Sequence, residues 1–319
     1  MKRPVLGICG LLLVSLTAHA DRVYLEGHAT TDSDDAGHYR LFGGYRMEIP
    51  ELGKLELDGA AGTRHYREEI TDSAAPSGNR TTTERESFEA ARLKLHGEAT
   101  RSWRYSMRLE QLLGDDWDVL LGAATVAARP HADWYLELFA ERELVDTVRA
   151  IRRHIRVDTY GLSLDYQLHP SWLLVGGLFE QDFSDGNRRL GTVERLIYSP
   201  QKIEWLHIQL KGKQLNADRD SDTYFSPERL QEYFLLIGAA TPFADDNWVI
   251  RLLGGPGVQI IEPFASEREE KEAYLAELKL RGWFTDNITL ESRLGCSSAV
   301  ASTDSYSYCY GHLHLGYAW

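Results

Sequence analysis

Apolar side chains recur at every second position through most of this chain, and a period of two describes a strand whose two faces meet different solvents. Leu55-Glu56-Leu57-Asp58, Ala91-Arg92-Leu93-Lys94-Leu95-His96, Ala276-Glu277-Leu278-Lys279-Leu280-Arg281 and Leu290-Glu291-Ser292-Arg293-Leu294 each set charge between apolar neighbours. The same period runs through Gly161-Leu162-Ser163-Leu164-Asp165 and through the last residues, Gly311 to Trp319. No sustained stretch carries a helical period. At 26% charged residues the composition alone would suit a secreted water-soluble domain, so the decision falls to how the segments are arranged.

About sixteen such segments follow one another, from 22–33 to 306–319, and an even count is what single-chain bacterial barrels have. Their connections alternate in length. Tight turns such as Pro50-Glu51-Leu52-Gly53, Thr100-Arg101-Ser102 and His169-Pro170-Ser171 follow even-numbered strands, and longer polar loops near 70–84, 146–155, 214–225 and 261–269 follow odd ones. Trp103, Trp134, Trp172, Trp205, Trp248 and Trp283 all lie beside the short turns, as an aromatic girdle at one membrane interface would. The chain stops on Trp319 after Leu313, Leu315 and Tyr317, a terminal aromatic strand of the kind by which outer-membrane proteins are recognised for assembly. Hydrocarbon cannot satisfy backbone N–H and C=O groups, so a spanning sheet must close on itself. The expectation is an all-β, transmembrane, antiparallel up-and-down β-barrel with short periplasmic turns and longer extracellular loops. Sixteen strands enclose a lumen too wide for its own side chains to fill.

The N-terminus supports the same location. Lys2 and Arg3 precede an apolar run from Val5 to Leu16 that ends at Ala18-His19-Ala20, which reads as a cleavable secretory signal and is too short for the roughly 20 residues of a spanning helix. Residues 1–20 are therefore expected to be removed, leaving the barrel, 21–319, in the outer membrane of a Gram-negative bacterium with a net charge of −15 in place of −13. Its expected partners are outer-membrane lipid, lipopolysaccharide and the barrel assembly machinery, and not nucleic acid.

With apolar residues pointing outward, the lumen receives Glu56, Asp58, Glu110, Glu137, Asp165, Glu180, Glu277 and Glu291 together with Arg64, Arg92, Lys94, Arg104, Arg108, Lys279, Arg281 and Arg293. Most of these are expected to form cross-strand ion pairs on a hydrated wall. The sharper alternative is that the excess of acid makes a negative path for a cationic or neutral solute. His96, His312 and His314 read as solvated lumen residues, since no third ligand completes a metal pattern, and no cofactor is expected. Cys296 and Cys309 lie on the last two strands at similar heights, leaving open either a periplasmic disulfide or two free thiols. Scattered Ser and His residues make no nucleophilic motif such as G-x-S-x-G, so the expectation is a protein that is not an enzyme. Gly254-Gly255-Pro256-Gly257 reads as a bend or strand break.

The strand count, the His169-Pro170-Ser171-Trp172 turn and Tyr224-Phe225-Ser226-Pro227 opening a strand after an outer loop resemble the C-terminal barrel of exopolysaccharide export proteins, such as the poly-N-acetylglucosamine and cellulose exporters. The resemblance spans essentially the whole mature chain. It implies passage of a secreted polymer, aided by acidic residues where the glycan is deacetylated and cationic. Those exporters carry periplasmic tetratricopeptide repeats ahead of the barrel and this sequence shows none, so either a separate protein supplies that scaffold or the barrel has another task. A small-solute porin with an inward-folded loop, for which 70–84 is the nearest segment, and a structural or adhesive surface barrel are the alternatives.

Overall fold

The computed structural model describes residues 22–32, 36–49, 55–72, 80–244, 246–299 and 306–319; residues 1–20 and the turn at residues 50–53 lie outside them. Sixteen strands occupy the described residues: β1 (Arg22–Asp32), β2 (Gly37–Ile49), β3 (Leu55–Asp72), β4 (Arg80–Thr100), β5 (Trp103–Gly114), β6 (Asp118–His131), β7 (Trp134–Leu144), β8 (Arg156–His169), β9 (Trp172–Phe183), β10 (Arg188–Tyr198), β11 (Leu206–Ala217), β12 (Arg229–Phe243), β13 (Trp248–Glu262), β14 (Glu269–Thr285), β15 (Ile288–Ala299) and β16 (Tyr306–Ala318). Each is antiparallel to its neighbours. β1 closes the barrel on β16, from Arg22 opposite Ala318 to Asp32 opposite Tyr308.

The two-residue period sets the two faces. Leu25, Leu41, Leu93, Leu109, Leu138, Leu162, Leu210, Ile237, Leu252 and Leu313 stand exposed on the outside, Leu138 by 61% and Ile237 by 59%. Such exposure would be costly in water and is what hydrocarbon requires. Charged and polar residues of alternate parity point inward, where they pair with one another.

Aromatic side chains gather at the short-turn end. Trp103, Trp134, Trp172 and Trp248 open β5, β7, β9 and β13, and Trp205 lies at the foot of β11 in an outer groove with Ile237, Ala239 and Leu252. Tyr166 packs on Trp134 at 4.5 Å and Tyr198 on Trp172 at 4.6 Å. Trp283 departs from the expected girdle. It shares the inward parity of Glu277 and Arg281, so Phe284 takes the outward place, edge-on to Trp248 at 4.9 Å.

Two local readings change. Residues 70–72 and 80–84 are strand: the β3–β4 hairpin is paired out to Asp72 opposite Arg80, as the β-branched run Thr81-Thr82-Thr83 favours. Gly254-Gly255-Pro256-Gly257 does not break β13, which runs through it from Trp248 to Glu262. Gly255 and Pro256 stay paired with Leu275 and Tyr274 of β14, while pairing with β12 skips from Gly257 to Gly254, where proline offers no N–H.

Cys296 and Cys309 face each other across β15 and β16, with Cα atoms 4.1 Å apart and sulfurs bonded. Both cysteines of the denatured chain should accordingly resist alkylation until reductant is added. Labelling of either before reduction, read by peptide mass, would contradict the bond.

Candidate functional site in the lumen

One side of the lumen is packed rather than open. Arg64 on β3 donates from Nε to Glu110 at 2.7 Å and from Nη1 to Glu143 at 2.9 Å. Arg92 on β4 holds Glu26 on β1 at 2.8 and 3.1 Å and lies 4.0 Å from the centre of the Phe42 ring. Tyr24 donates to Asp58, which also accepts from Arg46 at 3.3 Å. Arg108 bridges Glu141, at 2.8 Å, and Glu143. Ions withdrawn from water are tolerable only when paired in this way. Phe42, Tyr66, Phe88, Leu112, Val119 and Leu121 lie beside these ions as an inward-facing apolar cluster.

That cluster exists because a loop folds onto it. After β7, residues 145–155 turn into the barrel and form a five-residue helix, α1 (Val148–Arg152), whose Val148 and Ile151 complete the cluster. Thr147 caps the helix, its Oγ1 accepting from the Ala150 N–H at 3.2 Å and donating to the Thr223 carbonyl at 2.6 Å. The extended β3–β4 hairpin grips α1 through Glu68 on Arg149 at 3.3 Å and through Glu84 and Glu86 on Arg152, the latter at 2.6 Å.

From the other side comes the segment between β11 and β12. Asp222 accepts from Arg153 at 2.8 and 2.9 Å, and that hydrogen bonding holds its carboxyl below the usual carboxylate range. Tyr224 stacks on Phe183 at 4.6 Å within a second cluster that includes Ala150, and Ser226 accepts from the Asn187 side chain at 2.9 Å. Tyr224-Phe225-Ser226-Pro227 thus lies in an inward-folded loop, and β12 opens only at Arg229. In a closed barrel of sixteen strands, β3 and β4 stand opposite β11 and β12. The chain of contacts from Glu68 through α1 to Asp222 is therefore a crossbar over the mouth at the long-loop end.

Of the expected lumen residues, Glu56, Asp58, Arg92, Arg104, Arg108, Glu110, Glu137, Asp165, Glu277, Arg281, Glu291 and Arg293 lie on inward parity. Glu180 does not: it is opposite Tyr160 and Leu190, both exposed on the outer face, and pairs with Arg188 at 2.5 Å near the long-loop rim. The alternation on β9 slips no residue, but Leu174, Gly176 and Leu178 take the outward positions below Glu180, so its parity is outward. The structure joins Arg92 to Asp58 through Tyr24, joins Glu110 to Arg108 through Arg64 and Glu143, and pairs Glu277 with Arg293 at 2.6 Å. Glu137 accepts from Tyr135 at 2.7 Å, and Arg104 pairs with Glu98 at 3.2 Å. Arg281, Glu291 and Asp165 face the bore without an ion pair among the described residues.

The inward acids gather on the wall of β1–β9, which carries Glu26, Glu56, Asp58, Glu110, Glu137, Glu141, Glu143 and Asp165. Glu180, Asp182, Glu270 and Glu272 fall on outward parity, whereas the wall of β10–β14 presents Arg195, Lys211, Lys213, Arg251 and Lys279 inward against Glu232 and Glu277. Sequence reasoning missed Glu26, Glu141 and Glu143, although the alternation in Tyr24-Leu25-Glu26-Gly27-His28 could have shown the first. It missed α1 because five residues are too few to display a helical period.

A closed sixteen-stranded barrel with an apolar exterior and charged interior has the fold of an outer-membrane channel of the porin type. No protein-family model and no curated relative matches the sequence. Among solved structures, the chain is similar to one described as a bacterial polysaccharide outer membrane secretin, with a TM-score of 0.70 and 12% identity over 94% of this chain and 98% of that one. Looser likenesses include Pseudomonas aeruginosa OccK7 (OpdD), TM-score 0.46 and 10% identity over 94% and 98% of the two chains, and Acinetobacter baumannii OccAB3, TM-score 0.47 and 8% identity over the same shares.

Proposed function

We propose that the barrel passes a secreted polysaccharide across the outer membrane. The observation that carries this reading is the backbone match along 94% of the chain to a barrel described as a polysaccharide secretin, with almost nothing left over on either side. A polar bore lined by fixed charges suits a hydrated polymer, and the solved relatives are channels rather than enzymes, which supports a non-catalytic role. A separate periplasmic repeat protein is the proposed scaffold, and cleavage after Ala20 the proposed route to the membrane. In a deletion strain, extracellular polymer should fall and periplasmic polymer accumulate, both restored by the wild-type gene. Unchanged secretion alongside lost entry of a small solute would overturn the reading. That outcome is what the inward-folded α1 favours, since such a segment narrows the lumen of a small-solute channel.

A further inference from the structure

One feature of the bore depends on register. Arg251 lies opposite Lys279, Lys279 opposite Arg293, and Arg293 opposite His312. Across the closure of the barrel His312 lies opposite His28, His28 opposite Arg40, and Arg40 opposite Arg64. Every inward position in this row, on seven adjacent strands, therefore carries a basic side chain. Neighbouring strands are about 4.8 Å apart, and because barrel strands tilt, a row across them climbs obliquely around the wall. It rises from near the short-turn end of β13 to the upper part of β3.

Carboxylates offset it only in part. Arg64 is taken up by Glu110 and Glu143, and Lys279 and Arg293 share the single acid Glu277. Among the described residues Arg251, which is exposed, makes no ion pair, and neither do Arg195 and Lys211, opposite each other on β10 and β11; Arg40 makes none either, though Glu26, Glu141 and Glu143 lie near it. One position further toward the long loops the wall carries rings. Tyr310 lies beneath Arg293, 5.3 Å from its guanidinium, and His38 and Tyr66 lie 5.5 Å apart. Arg293 beside the half-buried Tyr310 ring offers charge to acidic substituents and a stacking face to a sugar ring, whereas Tyr66 is buried beneath α1.

We infer that this row guides an anionic glycan, one carrying carboxylate groups, through the lumen. The inference rests on the polysaccharide reading and names its substrate class.

The test uses the full chain in planar bilayers under a salt gradient. Oligosaccharides of equal length, carboxylated, neutral (cello-oligosaccharide) or cationic (chito-oligosaccharide), are added as blockers. The wild type should prefer anions and be blocked at the lowest concentration by the carboxylated oligomer. Arg251→Glu with Lys279→Gln should abolish both preferences while the barrel still migrates as folded on a gel, and Arg251→Lys should keep them. Strongest block by the cationic oligomer, or a cation preference in the wild type, would overturn the anionic track and leave polysaccharide passage standing. Anion preference without block by any oligosaccharide would instead remove the polysaccharide while keeping the track.

Discussion

Ile151→Asp should raise the single-channel conductance several-fold, and Arg153→Ala should leave it close to wild type. The contrast follows from what holds α1 in the bore. Val148 and Ile151 are each 1% exposed, packed with Phe88, Leu112, Leu121 and Leu144, and burying an aliphatic side chain stabilises by about 1.5–3 kcal/mol. The Arg153–Asp222 pair is exposed on both sides, and such a pair contributes about 0–1 kcal/mol. Apolar contact therefore decides where the helix sits. An aspartate at 151 would be an unpaired buried charge beside Phe88, so the segment leaves the wall and the crossbar to Asp222 parts. Conductance unchanged by Ile151→Asp, or raised more by Arg153→Ala, would show that the crossbar is not held by its apolar face. The barrel itself should survive, because α1 contributes none of the hydrogen bonds that close the sheet.

Glu110→Ala should destabilise the barrel by about 3–5 kcal/mol, the cost of removing one member of a buried ion pair. Glu110 is fully buried and binds Arg64, itself buried. Its loss leaves Arg64 with Glu143 alone, which Arg108 also claims. Arg142→Ala, breaking an ion pair with Asp158 on the outer rim, provides the comparison and should cost under about 1 kcal/mol. Replacing both partners with apolar residues, Arg64→Met with Glu110→Leu, should recover most of the loss, because Glu143 keeps Arg108. Guanidinium unfolding from lipid vesicles, followed by tryptophan fluorescence, measures all three. Equal midpoints for Glu110→Ala and Arg142→Ala would mean that water reaches the Arg64–Glu110 pair.

The sequence by itself determined the barrel: its strand number, its inward and outward faces and the alternation of short and long connections. Each is local, since oil on one side and water on the other select residues position by position, and Leu93 beside Arg92 and Lys94 reads the same in any register. Glu180 and Trp283 were misplaced where a single step of parity near a strand end decides the face. What only the tertiary structure decided is which inward residues meet. Glu26 reaches Arg92 from 66 residues away, and Arg153 reaches Asp222 from 69. The stagger of strands around a closed sheet brings Arg251, Lys279 and Arg293 side by side although no spacing along the chain relates them. The inward turn of residues 145–155 depends on an apolar patch assembled from six strands, β2 to β7, and no one of them shows it alone.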